Sequence, residues 1–286
     1  MIISIFNREE RIVIFTFKLK SIAIICFVAI VSLILGFCGI DGKNTAEIQK
    51  KMTEYMKSTY GKNFVVEKPK STGNGGFGYV QHVAKAYPED DKELKIAITW
   101  DKNSGEFTDT YLATKWTKQG TQEMENKLKA VYGDSFKLGT YKVYFSDKNL
   151  KDLDYKDIIN KYAYRMRINI TYYVFLDGNL SKEYEAQRAY RILKENFIDI
   201  DPTEELQYIF VVEYIKNGKK LEFDNLYSES TEGDGARSVD NLFKLGMLED
   251  WIRITYTPSL KDKYPEMKNA EDVEKRFRIS NNITGY

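Results

Sequence analysis

Few side chains in this sequence can perform acid–base chemistry near neutral pH. His82 is the only histidine among the 286 residues, and histidine is the side chain that ordinarily changes charge near pH 7. It stands in an apolar stretch beside Val80 and Ala84, with no nucleophile near it in sequence. We therefore interpret His82 as a structural or exposed strand residue. A single histidine, with no cysteine in the folded part, also argues against a zinc or copper site.

Carboxylates are abundant, so chemistry of the glycosidase type has to be considered. Such enzymes need two carboxyl groups that face each other across a cleft, which a linear sequence does not reveal. The close pairs in the sequence are Asp90 with Asp91, Asp199 with Asp201, and Glu204 with Glu205. Acidic pairs in turns are more typical of solvated helix caps than of catalysts. No catalytic residue is assigned from this pattern.

A faint calcium-loop pattern occurs at 230–235, with the sequence STEGDG. A calcium loop of this kind ends in a glutamate that binds the ion through both oxygens. Asn241 occupies that place here. The pattern therefore assigns no metal-binding residue.

The glycine-rich stretch 73–78 matches the phosphate loop of protein kinases in its glycine spacing. Lys85 follows Gly78 by only seven residues, whereas a kinase places a strand, a turn and most of another strand before its lysine. The pattern also precedes a strand, which is not the setting of a dinucleotide-binding loop. We interpret 73–78 as a flexible loop and expect no cofactor.

Aromatic residues make up 14% of the chain, with 21 tyrosines and 16 phenylalanines. Such rings suit the half-buried surface of a sheet, so the composition predicts substantial β-structure. Exposed aromatic rings also bind sugars and peptides. The exposure of Trp100, Trp116 and Trp251 therefore decides between a core role and a binding role for each.

One segment is apolar enough to cross a membrane. Residues 21–40 contain no charged side chain, and a bilayer core needs about 20 such residues. Basic residues precede the run at Arg8, Arg11, Lys18 and Lys20. The positive-inside tendency then leaves 1–20 in the cytoplasm. The sequence predicts a cell-membrane protein with a single pass and its C-terminal part outside.

Three fates of this segment stay open. It is a retained transmembrane helix or signal anchor, a cleaved signal peptide, or a lipoprotein signal that leaves Cys38 acylated. Leu35, Gly36 and Cys38 resemble a bacterial lipobox. Phe37 stands where that motif has a small residue, and its ring would hinder the signal peptidase. Cys38 is the candidate lipidation site, and its alternative role is an apolar residue of a membrane helix.

Charge and cysteine content exclude further classes. The chain has 43 basic and 42 acidic residues, a net charge of +1. Because the N-terminal segment holds a positive surplus, the rest has no net positive charge to attract nucleic acid. Cys26 and Cys38 both lie in the apolar run. The folded part therefore contains no disulfide and no thiolate metal site.

Residues 44–117 are expected to form one helix and a four-stranded antiparallel meander. Apolar residues recur on one helix face after Asn44, and Gly61 supplies a left-handed stop. The expected strands are 63–68, 77–87, 94–100 and 106–116.

Residues 118–258 are expected to form a second α+β unit. Asn217-Gly218 lies between two apolar runs and is a strong hairpin signal. Residues 259–286 carry many charges and few apolar anchors, which predicts a loosely attached helix or a partly disordered tail. The expected elements are a helix ending at Gly133, strands from Phe136 and over 164–176, a helix over 181–196, strands over 206–215 and 219–226, a helix over 239–249, and a strand over 251–257.

A helix-to-strand pattern occurs twice at a spacing of 72 residues. It is either a duplicated unit or the ordinary appearance of an amphipathic helix that glycine ends before a strand. The sequence leaves both interpretations open. The matching positions are Met52 and Met124, Met56 and Leu128, Tyr60 and Tyr132, Gly61 and Gly133, and Phe64 and Phe136.

The N-terminal layout resembles membrane-anchored and lipoprotein-type extracytoplasmic proteins of Gram-positive bacteria. Cys38-Gly39 near the end of the apolar run, and then Lys57-x-x-Tyr60-Gly61-x-x-Phe64, carry this resemblance over about the first 70 residues. It implies an envelope location and no particular activity.

Together these observations predict an α+β protein, with an N-terminal membrane helix followed by two helix-plus-antiparallel-sheet units, cystatin-like or similar. The expected function is a membrane-anchored extracytoplasmic binding module without enzymatic activity. Its expected partners are the membrane and another envelope protein or cell-wall glycan or peptide, and no nucleic acid. The alternative is a carboxylate-dependent cell-envelope hydrolase acting on glycan or peptide. Two facing carboxylates with divergent pKa values would favour the enzyme, and an aromatic surface or open sheet edge would favour binding.

Overall fold

A computed structural model of the chain describes residues 45–73, 80–200, 205–230, 235–262 and 265–279. Contacts divide the chain into two compact units, Met1–Thr110 and Tyr111–Tyr286. The expected membrane span at 21–40 and Asn44, which precedes the first expected helix, lie outside the described residues. Among the helices that are described, none combines the length and apolar character that a membrane crossing requires.

The first unit begins with helix α1 (Thr45–Tyr60), as its apolar spacing predicts. Met52 and Met56 on that face are fully buried, and α1 packs against the sheet that follows. Gly61 ends the helix with a φ of +69°. Glycine adopts this left-handed conformation without the steric cost that a Cβ atom would bring.

The sheet of the first unit has five strands instead of the expected four. They are β1 (Phe64–Val66), β2 (Lys70–Thr72), β3 (Gln81–Pro88), β4 (Ile96–Asp101) and β5 (Phe107–Asp109). The order is β1-β3-β4-β5, and β2 pairs with β3 next to β1. All pairings are antiparallel. The first unit is therefore one helix on an antiparallel sheet.

The expected strand over 106–116 is wrong beyond Asp109. β5 ends there, and helix α2 (Tyr111–Tyr132) begins the second unit. Aromatic and threonine residues between 107 and 116 favour a strand locally. Leu112 and Trp116 nevertheless lie on the same buried helix face as Met124 and Leu128. Burial of this whole face in one helix outweighs the local preference.

The sheet of the second unit is mixed, which corrects the expectation of an antiparallel sheet. Its strands are β6 (Phe136–Tyr144), β7 (Arg167–Phe175), β8 (Gln207–Ile215) and β9 (Leu248–Tyr256), paired in that order. β7 and β8 run parallel, whereas the other two pairings are antiparallel. Helix α3 (Tyr155–Tyr162) lies between β6 and β7. Two parallel strands need a crossover connection, which here contains helix α4 (Lys182–Leu193) and a π-helical turn (Lys194–Ile198).

The segment after β8 is a helix and not the second strand of a hairpin. Gly218 does turn the chain, with a φ of +77°. It leads into α5 (Lys220–Glu229), and the antiparallel partner of β8 comes only later. Phe223 is fully buried and Tyr227 packs beside it, as helical spacing allows. The remaining elements are α6 (Val239–Lys244) and α7 (Ala270–Glu274), with short 3₁₀ turns at Lys148–Leu150, Ala163–Arg165 and Pro258–Leu260.

Helices cover both faces of the second sheet. On one face, Tyr172 contacts Tyr132 of α2, Phe210 contacts Phe197 after α4, and Tyr214 contacts Phe277 after α7. On the other face, Tyr173 and Phe175 belong to a buried cluster with residues of α5 and α6. Successive residues of a strand point to opposite faces, so Tyr172 and Tyr173 pack into different cores.

The expected loose tail is wrong for 265–279. Val273 and Phe277 are fully buried. Phe277 also forms a β-bridge with Ile252, and the Arg278 N–H donates to the Trp251 carbonyl at 3.0 Å. Together with the buried Met267, these contacts fix a charged segment beside β9.

The pattern that repeats after 72 residues has the same local geometry at both places. Gly61 follows α1 with a φ of +69°, and Gly133 follows α2 with a φ of +60°. Phe64 lies in β1 and Phe136 in β6. The sheets that these strands enter differ in topology. Duplication and coincidence both remain open.

Candidate functional site

Four aromatic rings of the first unit stack in a continuous row, which we call the aromatic ladder. It consists of His82, Trp100, Phe107 and Tyr55. His82 and Trp100 are cross-strand partners on β3 and β4, and Phe107 of β5 is the partner of Trp100 on the other side. Their ring centroids lie 5.4 Å and 6.3 Å apart, with interplanar angles of 20° and 25°. Tyr55 of α1 continues the row at 4.6 Å and 11° from Phe107.

The register of the sheet creates this row. Residues directly opposite each other on neighbouring antiparallel strands point to the same face. One ring on each of three successive strands is therefore placed side by side. Tyr55 reaches the end of the row because α1 packs over this face, where Ile98 and Met52 are fully buried.

All four rings of the aromatic ladder are half-buried, unlike the other tryptophans. Trp116 is 0% exposed and donates its Nε1–H to the Leu153 carbonyl at 3.1 Å. Trp251 is also buried. Of the three tryptophans considered from the sequence, Trp100 is therefore the one with surface available for a ligand.

Each inner ring of the aromatic ladder has an aromatic neighbour on both sides. Trp100 lies between His82 and Phe107, and Phe107 lies between Trp100 and Tyr55. The Lys51 ammonium also lies over the Trp100 ring. A ligand at this surface therefore meets rings that are already stacked, and the edges of such rings carry the positive end of the aromatic quadrupole.

Two lysines flank the aromatic ladder. The Lys51 ammonium lies 5.4 Å from the centroid of a Trp100 ring, a cation–π distance. Lys102 lies near His82, where burial first and Lys102 second lower the pKa of the imidazole. His82 is thus neutral at neutral pH, and its Nδ1 is 3.1 Å from the Ser71 hydroxyl. The expected structural role of His82 agrees with this placement, and the ring also contributes to the row.

Hydrogen bonds fix the helix end of the aromatic ladder. The Tyr55 hydroxyl donates to Asp109 Oδ2 at 2.7 Å, and the Tyr60 hydroxyl donates to Asp109 Oδ1 at 2.8 Å. Burial, with the Asp109 carboxylate as a further cause, raises the pKa of Tyr55. The phenol therefore stays protonated and keeps donating. This holds the ring of Tyr55 against Phe107.

The second unit contains a buried carboxyl group that the sequence analysis did not select. Glu213 lies in the middle of β8, between Val212 and Tyr214, and is 4% exposed. Its Oε2 has no hydrogen-bond partner. Burial raises its pKa to about 8. A lone acidic residue within an otherwise apolar strand was the sequence signal that could have identified it.

Glu213 does not form a catalytic pair with the other buried glutamate. Glu185 of α4 also has a pKa raised by burial, and it forms a 2.7 Å ion pair with Arg188. Glu185 interacts electrostatically with Tyr172, whereas Glu213 interacts with Tyr173. These two tyrosines point to opposite faces of the sheet. The sheet therefore separates the two carboxyl groups, and neither can face the other across a cleft.

The remaining sequence candidates that the structure describes have local positions and contacts of their own. Asp90 forms a 2.9 Å ion pair with Lys62 in the turn after β3. Asp199 ends the π-helical turn, and its expected partner Asp201 lies outside the described residues, as do Glu204 and Cys38. Asn241 donates its side-chain amide to the Ala236 carbonyl at 2.7 Å.

The two glycine-containing loops considered from the sequence are described only in part. In the glycine-rich stretch, residues 74–78 lie outside the described residues, as does residue 79 after it. In the calcium-loop pattern at 230–235, residues 231–234 also lie outside them. Within the described ranges, no group of three or more histidine, cysteine or acidic residues could hold a metal ion.

Comparison with known proteins gives one distant structural likeness. No protein-family model matches the chain. No curated protein matches it either. A crystal structure of a DUF5037 family protein from Ruminococcus gnavus ATCC 29149 is similar, with 13% sequence identity and a TM-score of 0.39. The alignment covers 80% of this chain and 98% of that one. A likeness at this level carries no functional inference.

Proposed function

We propose that this protein is a membrane-anchored extracytoplasmic binding module, and that the aromatic ladder of its first unit binds a polypeptide segment of another envelope protein. The single observation that supports this most is the half-buried state of all four stacked rings. Large aromatic side chains contribute most to stability when they are fully buried. Surface rings in a rigid row are a common feature of binding sites.

The orientation of the rings favours a polypeptide over a sugar. A sugar ring stacks on an open aromatic face, whereas Trp100 and Phe107 are already stacked with aromatic neighbours on both sides. Ring edges attract oxygen atoms such as backbone carbonyls. Lys51 lies over Trp100 and Lys102 lies near His82, so both lysines add positive charge to the row. Together these groups suit the carbonyl and carboxylate oxygens of a peptide chain.

The membrane anchor is part of this proposal and rests on the sequence. Residues 21–40 have the length and apolar character of a membrane span. Either a retained helix or an acylated Cys38 would hold the folded units at the outer surface of the cell membrane. One helix on an antiparallel sheet also supports the cystatin-like arrangement for the first unit alone.

The alternative of a carboxylate-dependent envelope hydrolase has less support. The two glutamates whose pKa values burial raises lie on opposite sides of the second sheet, and Glu213 is enclosed in an apolar cluster. A glycosidase of the usual type needs both carboxyl groups in one cleft. We therefore retain the binding function as the proposal.

Crosslinking in living cells tests the proposed binding surface. A photo-crosslinking amino acid at Lys51 would stand beside Trp100 without displacing any ring of the row. We expect an adduct that protease digests, that muramidase leaves intact, and that disappears in a Trp100→Ala background. The same amino acid at Tyr184, an exposed aromatic residue of the second unit, is the matched control.

Each other outcome of this experiment counts against the proposal. A muramidase-sensitive adduct would show that the aromatic ladder binds cell-wall glycan instead of polypeptide. An adduct that persists after Trp100→Ala, or forms equally from position 184, would remove the ring row from the binding site. No adduct at Lys51 would contradict a binding role for this surface.

A further inference from the structure

The second unit exposes three large apolar side chains on its α5 and α6 segments. Leu221 is 73% exposed, Phe243 is 57% exposed and Leu245 is 47% exposed. Leu221 stands in the first turn of α5, Phe243 stands near the end of α6, and Leu245 follows that helix. Exposed apolar side chains that occur together commonly mark an interaction surface.

A hydrogen bond joins the two segments that carry these side chains. The Lys216 N–H, before α5, donates to the carbonyl of Met247, after α6, at 2.8 Å. Phe223 of α5 and Leu242 of α6 belong with Met247 to one buried cluster against the sheet. The exposed residues are therefore attached to elements that the core holds in place.

Lysines stand close in sequence to the exposed apolar side chains. The segments 216–222 and 243–249 contain four lysines and two glutamates, a surplus of positive charge. Lys216 and Lys219 pair with those glutamates at 4.0 Å and 2.8 Å. The ammonium group of Lys220 lies 4.2 Å from the centroid of the Phe175 ring, and Lys244 stands exposed between Phe243 and Leu245. We call Leu221, Phe243, Leu245, Lys216, Lys219, Lys220 and Lys244 the basic apolar patch.

We infer that the basic apolar patch contacts the surface of an anionic lipid bilayer. Apolar side chains of this kind enter the boundary between headgroups and acyl chains, and lysines at their margin attract anionic headgroups. This inference rests on the proposed function, because the apolar segment 21–40 would hold the chain at such a surface. The combination of exposed leucine and phenylalanine side chains with a lysine surplus favours a membrane over a protein partner, whose interface would be depleted in lysine.

Hydrogen–deuterium exchange on the full chain in nanodiscs tests the contact. The discs contain either phosphatidylcholine alone or phosphatidylcholine with phosphatidylglycerol, and the chain in detergent is the reference. We expect amides of 216–222 and 240–247 to exchange at least about tenfold more slowly in the anionic discs. The triple variant Leu221→Ser, Phe243→Ser, Leu245→Ser should lose this protection.

Two further variants make the test specific. Tyr164→Ser with Tyr184→Ser removes two other exposed aromatic residues of the same unit and should leave the protection unchanged. Lys220→Gln with Lys244→Gln keeps the apolar side chains and should abolish the difference between the two lipid compositions. An unchanged thermal unfolding profile of each variant confirms that the fold is intact, as expected because the altered side chains are exposed.

The outcomes separate this inference from the proposed function. If the chain enters the discs but the two segments exchange as fast as in detergent, the bilayer contact is wrong and the anchor stands. If the chain does not enter the discs, the anchor is wrong. Cosedimentation of that chain with phosphatidylglycerol vesicles, and not with phosphatidylcholine vesicles, would then still support the patch. A chain that did not cosediment with phosphatidylglycerol vesicles would overturn the bilayer contact as well.

Discussion

The imidazole of His82 stacks on the indole of Trp100, with 5.4 Å between their centroids and 20° between their planes. The two residues are partners in the β3–β4 ladder, so the sheet itself fixes this contact. A stacked pair in a core would be shielded from solvent, whereas both of these rings are half-buried. The pair therefore forms part of a rigid surface.

The stability of tryptophan variants can distinguish this surface from a core. Trp116→Ala should lower the free energy of unfolding by about 3–5 kcal/mol, because it leaves a cavity and breaks the hydrogen bond to Leu153. Trp100→Ala should cost less, about 1–2 kcal/mol, because part of the ring is already in contact with water. Denaturant unfolding of both variants provides the comparison. Equal losses would show that Trp100 is a core residue and not part of a binding surface.

The titration of His82 should report on the aromatic ladder. Burial and Lys102 lower its pKa, so the unfolded chain takes up a proton at higher pH than the folded chain does. The stability contributed by neutral His82 is therefore complete above the unfolded pKa of about 6.5 and is lost as the pH falls. His82 is the only histidine, so its imidazole gives a single set of NMR signals to follow.

A lysine variant separates burial from the charge of Lys102 as causes of the lowered pKa of His82. Lys102→Ala should raise the pKa of His82 part of the way to its ordinary value, because burial remains. Lys92→Ala, in an exposed turn of the same unit, should leave the titration unchanged. The stated geometry would be contradicted if the two variants gave the same titration curve.

Glu213 should make the protein less stable in alkaline solution. Its pKa is raised to about 8 in the folded chain, above an unfolded value of about 4.3. Between these values the folded state holds a proton that the unfolded state has lost. Stability therefore falls as the pH rises through this window, by about 1.4 kcal/mol for each unit of pKa difference.

Glu213→Gln removes this ionisation while it keeps the shape of the side chain. We expect the variant to match the parent near pH 4 and to be more stable by a few kcal/mol near pH 9. The exposed Glu125→Gln serves as the control and should show no such gain. If the free energy of unfolding changed with pH in the same way for the parent and for Glu213→Gln between pH 4 and pH 9, the carboxyl group would not be buried as described.

Gly120 is required by the packing of α2 and not by its backbone conformation. A Cβ atom there would lie 2.4 Å from Cε1 of Tyr141 and 3.1 Å from Cε2 of Tyr155. These two tyrosines hydrogen-bond to each other and are buried, so neither ring can move aside freely. Gly120→Ala should lower the free energy of unfolding by about 1–3 kcal/mol. This is opposite to the gain that alanine normally gives inside a helix.

Gly178→Ala is the appropriate comparison for that variant. A Cβ atom at Gly178 meets nothing within 4 Å, so the substitution should be close to neutral. Thermal unfolding measures both. If Gly120→Ala were as stable as the parent, the two tyrosines could not lie against the helix in the way described.

The sequence predicted elements best where spacing and a stop signal agreed. Helix α1 combines a buried face with a left-handed glycine at Gly61. The sequence failed where a local signal opposed a distant one. Asn217-Gly218 favours a hairpin, yet the partner of β8 is a strand that begins at Leu248.

The aromatic ladder could be anticipated only in part. Trp100 was considered because of its residue type, but its partial exposure depends on how α1 and the neighbouring strands pack around it. The neighbours of Trp100 come from β3, β5 and α1, and their stacking depends on register. The buried Glu213 was missed because the apolar run around it predicted a strand regardless of its charge. The segment 265–279 was underestimated because its few apolar residues, among them Met267, Val273 and Phe277, are buried.

Measuring which side of the membrane the C-terminus lies on is the most direct test of the central claim that the folded units lie outside the cell membrane. A reporter fused after Tyr286, in whole cells whose wall has been removed, can be exposed to external protease and then detected. We expect the reporter to be degraded while a cytoplasmic marker survives, and the protein to fractionate with membranes. A reporter that stays protected, or a chain that fractionates as freely soluble, would contradict the account.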